Sequence, residues 1–300
     1  MLLSWIAVLS LVIVYLVFAT RWFAGWARRF AADRHHGVLL ALMLIVPYLL
    51  LALPSGRANP AAFLRGLGLM LAYILVPAVA SAYRPAKAKA LHPLDILAIL
   101  AIWFPIEFGW LPDVEAQLAA GVNIPVPLLT GVVLSFVCFL AIRPLPDVGY
   151  TFRFNRSDWP RIGTALGLYM LIALPLGIIT RFLVVQVAPF APGQWIMSWL
   201  LGYFFTALPE EMLFRGVIQN QLHQRLKNER VALAAAAVIF GLAHLNNATA
   251  GYPVPNWMYV VMASLAGLAY GWTWRKTGKI TAAAVVHATV NFVWGILLGG

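Results

Sequence analysis

The sequence predicts an all-α, polytopic membrane protein of about ten spans, because apolar runs of membrane-crossing length recur from end to end. Composition agrees. The chain is 62% hydrophobic and only 10% charged, where a soluble domain carries roughly 25% charged residues. A mean hydropathy of +0.85 leaves too little polar surface to cover a water-facing globule. The period-2 alternation of a transmembrane β-barrel is absent.

The elements follow in order. Residues 2–20 are apolar with no basic residue before them, so they read as a retained first span rather than a secretory signal. Residues 21–36 read as an interfacial helix, with Trp22, Trp26 and Phe30 every four residues and basic side chains between. Spans are predicted over 38–53, 63–83, 94–110 and 126–142. The linker 143–162 is the longest polar stretch and holds Pro144, Pro146 and Pro160. It separates a region 1–162 with no assigned role from a core 163–300 that holds every candidate chemical group. In that core, spans are predicted over 163–189, 194–221, 231–248, 257–274 and 280–298, with a kink at Pro175.

Charge tests this layout. The linkers after odd-numbered spans hold 17 of the 21 basic residues, and those after even-numbered spans hold only Arg57. Arg65, Arg181 and Arg215 lie within spans. Basic loops face the cytoplasm, so both termini are expected outside and 245–256 outward. The net charge of +11 is thus topological. Nucleic-acid binding needs a basic face on a soluble module, and the chain has no such module. Cys138 stands alone in an apolar run, which excludes an intrachain disulfide and a cysteine-based metal site.

Three polar motifs interrupt the apolar core. The first is Glu210-Glu211-x-x-x-Arg215. A charge at bilayer depth costs at least ~2.5–3.5 kcal/mol, so two adjacent carboxylates mark a functional position. Residues four apart share a helix face, so Glu211 can pair with Arg215 while Glu210 points elsewhere. A free carboxylate in low dielectric suits a general base. Pro209 loosens the helix just before the pair. The second motif is Phe240-Gly-Leu-Ala-His244, and the third is His287-Ala-Thr-Val-Asn291. By helical rise, Glu210, His244 and His287 lie ~18, ~20 and ~10 Å from the cytoplasmic ends of their helices, which allows one shared polar chamber. Taken singly, the first motif is as readily a buried ion-pair brace and the third an interhelical clamp, while a lone histidine such as His244 is more often a packing residue than a catalyst.

In that order on successive helices, these motifs resemble the CPBP intramembrane proteases. This is the CaaX protease and bacteriocin-processing family, also called Abi, which includes the Rce1-type prenyl-protein endopeptidases. The resemblance covers 209–291 and implies roles. Glu210 matches the base that activates water, and His244 the residue that helps hold it. His287 and Asn291 match the oxyanion-stabilising pair. Glu211 and Arg215 match the supporting pair. It further implies an intramembrane endopeptidase of glutamic type in a bacterial inner membrane. Such an enzyme acts without cofactor on membrane-associated protein or peptide substrates, lipidated or not.

Other readings stay open. Glu210, His244 and His287 could ligate zinc with a position left for water, although the His-Glu-x-x-His spacing is absent. The same buried groups could serve a transporter or proton relay, against which no inverted repeat is visible. A non-catalytic immunity or scaffold partner would need none of them.

Overall fold

The computed structural model describes residues 1–299 apart from 57, 58, 120, 121, 187, 188 and 190. Arg57, together with Val187 and Ala188 of the sixth predicted span and Gly300 of the predicted core, lies outside the described residues. The chain is 73% helix, so the all-helical class holds. It divides into two compact units, Met1–Pro146 and Asp147–Gly300. The division falls inside the linker 143–162.

Among the described residues, three helical stretches are long and apolar enough to cross a membrane: Arg34–Pro54, Pro60–Tyr83 and Asp158–Ile179. Two further helices, α1 (Leu2–Val17) and α2 (Arg21–Phe30), pass that test only together, bent by 99°. Val126–Ile142 and Ile280–Ile296 are apolar but shorter.

In the N-terminal unit the bend between α1 and α2 comes from Thr20, whose hydroxyl accepts the Phe23 amide as an N-cap. The amphipathic segment expected over 21–36 is broken. Asp33 caps a new helix, α3 (Arg34–Leu42), by accepting the His35 and His36 amides. Those amides, His36 foremost, hold the Asp33 carboxyl below its ordinary range. Trp22 stays exposed on α2, while Trp26 stacks on Phe30. Beyond α3 come α4 (Ile45–Gly56), α5 (Pro60–Tyr83) and α6 (Pro93–Glu107). A hairpin of β1 (Glu115–Ala119) and β2 (Val122–Pro125) then leads into α7 (Val126–Phe136), which continues through π-helical turns to Ile142. The hairpin was not expected from the hydropathy pattern.

At one end of this unit Asp95 is buried and doubly paired. Its Oδ1 lies 2.7 Å from both Arg84 Nε and Arg143 Nη1. Its other oxygen accepts the His92 amide, closing a capping box at the start of α6. Burial lowers the Arg143 guanidinium to about 10, with Asp95 opposing that shift.

The C-terminal unit opens with a loop stitched to later helices. Trp274 donates to the Val148 carbonyl and Thr281 to that of Thr151. Lys279 pairs with Asp158, which is buried at the start of α8 (Asp158–Ile179). Gly149 has φ +73, and any side chain there would run into the Gly278 carbonyl. The sixth span, expected to reach 189, stops ten residues early. Arg181 turns left-handed and the Leu183 amide closes onto the Gly177 carbonyl, which ends the helix. The strand β3 (Val184–Val185) pairs with β4 (Leu298–Gly299).

Next comes one long helical rod, Pro192–Leu226, whose hydrogen bonding changes along its length. It runs as α9 (Pro192–Gly202), π-helical turns over Tyr203–Ala207, α10 (Leu208–Glu211), π-helical turns over Met212–Gln219 and α11 (Asn220–Leu226). Pro209 has no N–H to bond back, so the regular ladder cannot pass through it. The two carboxylates therefore sit on a single α-turn between two wide segments, a distortion that helices favour at functional positions. The rod packs against α12 (Glu229–Leu242), α13 (Trp257–Thr277) and α14 (Ile280–Leu297).

Candidate active site

Glu211 and Arg215 are almost fully enclosed, and Arg215 Nη1 donates to Glu211 Oε1 at 2.9 Å. Arg215 Nη2 donates to the Gly267 carbonyl on α13 at 3.2 Å. The guanidinium also lies over the rings of Phe240, at 4.4 Å, and Tyr270, at 5.1 Å. A buried cation thus meets an anion, a carbonyl and two π-faces, which together replace its lost hydration.

His287 closes the cluster from α14. Its Nδ1 lies 2.9 Å from Glu211 Oε1. An ionised carboxylate only accepts, so Nδ1 carries the proton. The ring is then fixed in the plane by stacking on Tyr270, at 4.5 Å and 15°, and by the edge of Phe240, at 5.7 Å and 87°. Its remaining nitrogen, Nε2, lies 3.8 Å from Glu210 Oε2. Glu210 differs sharply from its neighbour: its side chain keeps 33% of its surface exposed, and that of Glu211 none. One carboxylate is consumed by the ion pair and the other remains accessible.

His244 reaches this group through shared aromatic contacts. Its ring lies 4.8 Å from Phe240, which touches His287 on the other side. Tyr259 covers it from α13 at 5.0 Å. The His244 Nδ1 is 2.9 Å from the Phe240 carbonyl. A carbonyl cannot donate, so this imidazole also carries its proton on Nδ1. Both histidines are therefore held by Nδ1 and present Nε2. Asn291, one turn beyond His287 on α14, is exposed and forms no hydrogen bond with this cluster among the described residues. Among those residues no group of three His, Cys, Asp or Glu side chains is gathered closely enough to hold a metal ion, the trio Glu210, His244 and His287 included.

Sequence reasoning missed Tyr270, Tyr259 and Asn256. Tyr270 gives one faint signal: it sits beside the small-residue ridge of Gly267 and Gly271, where α13 makes its close approaches. Asn256 is fully enclosed and fastens the turn after His244. Its side-chain amide donates to the Asn247 carbonyl at 2.9 Å, its oxygen accepts the Tyr259 amide at 2.9 Å, and its own amide donates to the Leu245 carbonyl at 2.8 Å. That fixes the stretch 245–256 between His244, in the turn just beyond the end of α12, and Tyr259 in the first turn of α13.

Helices of membrane-crossing apolarity make this an integral membrane protein, and they enclose a buried carboxylate–imidazole cluster. The comparison with known families makes the class more specific. Residues 192–293 match the family model described as type II CAAX prenyl endopeptidase Rce1-like. The matched stretch runs from the start of α9 through most of α14 and contains all three motifs. It agrees with the CPBP and CaaX protease resemblance carried by those motifs. At the level of that family the segment is similar to a CAAX-type endopeptidase, a protease with protein or peptide substrates in a membrane setting. No curated protein and no solved structure matches the chain.

Proposed function

We propose that the C-terminal unit is an intramembrane endopeptidase of glutamic type. Glu210 is the general base and Glu211–Arg215 the brace that orients His287. The observation that carries this reading is the bridging of His287, with Nδ1 at 2.9 Å from Glu211 and Nε2 at 3.8 Å from Glu210. The buried pair spends its charge on one nitrogen and leaves the other facing the accessible carboxylate.

In the proposed reaction Glu210 takes a proton from water as the oxygen attacks the peptide carbonyl carbon. His244, with its proton on Nδ1, offers Nε2 to accept the water's other hydrogen. Asn291 donates to the oxygen that becomes negative, and His287 does so through Nε2 once that nitrogen also carries a proton. When the C–N bond breaks, Glu210 returns its proton to the leaving amine. Atoms and charge balance without a covalent enzyme intermediate. A positioned general base is worth about 10²–10⁴ in rate, and one oxyanion donor about 10²–10³.

The same reading makes the chain a ten-span protein of a bacterial inner membrane, with both termini outside and the basic loops in the cytoplasm. It works without a metal on substrates that carry a lipid or not. Cleavage of a quenched membrane-bound peptide by the purified protein tests the chemistry. Glu210→Gln is expected to lose at least about 10²-fold in kcat, and His244→Ala and His287→Ala to fall likewise. Full activity in Glu210→Ala and His244→Ala would refute the assignment. Loss of wild-type activity on exhaustive chelation, with recovery on adding zinc, would move the protein to a metal mechanism.

A further inference from the structure

A second polar constellation lies in the N-terminal unit and is independent of the proposed protease site. A cavity of about 510 Å³ opens between α4, the first turns of α5 and the loop 109–114. Phe63, Leu69, Trp110 and Leu111 give it an apolar wall. Four polar side chains line it: Tyr48, Asn59, Arg65 and Asp113. Tyr48 is only 2% exposed, and its hydroxyl rests against Gly66 on the cavity wall, where a Cβ would collide with it. Among the described residues that hydroxyl has no hydrogen-bond partner, and neither Arg65 nor Asp113 has an ion-pair partner.

The Tyr48 ring is buried while its hydroxyl reaches the cavity, where it can donate to an occupant. Depth adds to the argument. Helix α5 is a membrane-crossing candidate that begins at Pro60. Arg65 therefore lies ~7.5 Å along its axis, near the boundary between headgroups and acyl chains. Asn59, at the rim of the same cavity, spends its oxygen capping α5 and leaves its amide group as a donor. An anionic group would satisfy Arg65, Tyr48 and Asn59 together, and a cationic one would satisfy Asp113. The apolar wall continues from them.

We propose that this cavity is a binding site for a phospholipid with a zwitterionic amine headgroup, of the phosphatidylethanolamine class. Arg65 and the Tyr48 hydroxyl hold the phosphate, Asp113 the ammonium, and Phe63, Leu69 and Trp110 the first part of an acyl chain. Gly66 is glycine because the Tyr48 hydroxyl occupies the space a side chain would need.

Native mass spectrometry of the full-length protein, delipidated and then titrated with defined lipids, tests this. Wild type is expected to retain phosphatidylethanolamine more tightly than phosphatidylglycerol or phosphatidylcholine. Arg65→Ala should weaken it about tenfold or more, the effect of losing a charge-assisted contact. Tyr48→Phe keeps the ring and should weaken it about fivefold, one neutral hydrogen bond. Asp113→Asn should erase the preference over phosphatidylcholine while leaving binding itself. Equal retention of all three lipids by wild type, or unchanged retention in Arg65→Ala and Tyr48→Phe, would overturn the proposal. Displacement by soluble glycerophosphoethanolamine would also overturn it, by making the site one for a free headgroup. Arg65 and Asp113 are exposed, so folding of their variants is not at issue.

Discussion

Arg215 and Glu210 lie five residues apart, yet their removal should have opposite consequences. Arg215 is buried against Glu211, the Gly267 carbonyl and two rings. Arg215→Ala leaves the Glu211 carboxylate in the interior without its cation and with only the His287 imidazole against it, which costs about 3–5 kcal/mol. Glu210 has no such partner and a third of its surface free, so Glu210→Ala should change stability by less than about 0.5 kcal/mol. Thermal unfolding in detergent, compared with peptide cleavage, separates the two: Arg215→Ala fails in both assays and Glu210→Ala only in the second. An equal loss of stability in the two variants would contradict this division of labour. Much of this was legible in the sequence. Glu211 and Arg215 are four apart on a helix, so their pairing follows from spacing alone. The link from Glu211 to His287 was not legible, because it joins residues 76 positions apart and depends on how α14 packs. Tyr270 was invisible for the same reason. Aromatic residues in apolar helices are common, and only the fold says which one stacks on an imidazole.

At the scale of elements, helix identity could be read from hydropathy, but helix ends could not. Capping decides them. Thr20, Asp33 and Asn228 stop or start helices through side-chain oxygens that accept backbone amides, and average hydropathy does not register a single oxygen. Asn256 shows what such a residue is worth. Asn256→Ala removes the N-cap of α13 and orphans the carbonyl of Asn247, so a loss of about 1–3 kcal/mol is expected. Cleavage should fall with it, because His244 precedes and Tyr259 follows the stretch it fastens. Asn256→Asp keeps the cap oxygen and should recover most of the stability but not the donated bonds. Helix contact is equally specific. A Cβ on Gly241 would meet the Ser264 side chain and lie 2.5 Å from the Val260 carbonyl, so Gly241→Ala forces α12 and α13 apart at about 1–3 kcal/mol. Gly68 on α5 has nothing within 4 Å, and Gly68→Ala should stabilise that helix by about 0.5–1 kcal/mol. A matched pair of melting curves checks the contrast.

For the whole molecule, the arrangement of basic loops is the quantity that sets orientation. Lys and Arg side chains resist translocation, and 17 of the 21 fall in alternate linkers. One span more or fewer would place basic loops on both sides, so the alternation and the proposed number of crossings stand or fall together. Helix length alone does not decide the matter, since among the described residues three stretches qualify by themselves and others cross only if short or bent helices are counted. Labelling does decide it. Cys138 is the only cysteine and is buried in the apolar interior, so a thiol introduced elsewhere reports without background. Thr249→Cys, in the stretch between α12 and α13, should react with a membrane-impermeant maleimide added to intact cells. Lys276→Cys, at the far end of α13, should react only after the membrane is opened. Because α13 alone separates the two positions, opposite reactivity establishes that this helix crosses. The reverse pattern would put the basic loops outside and invert the layout.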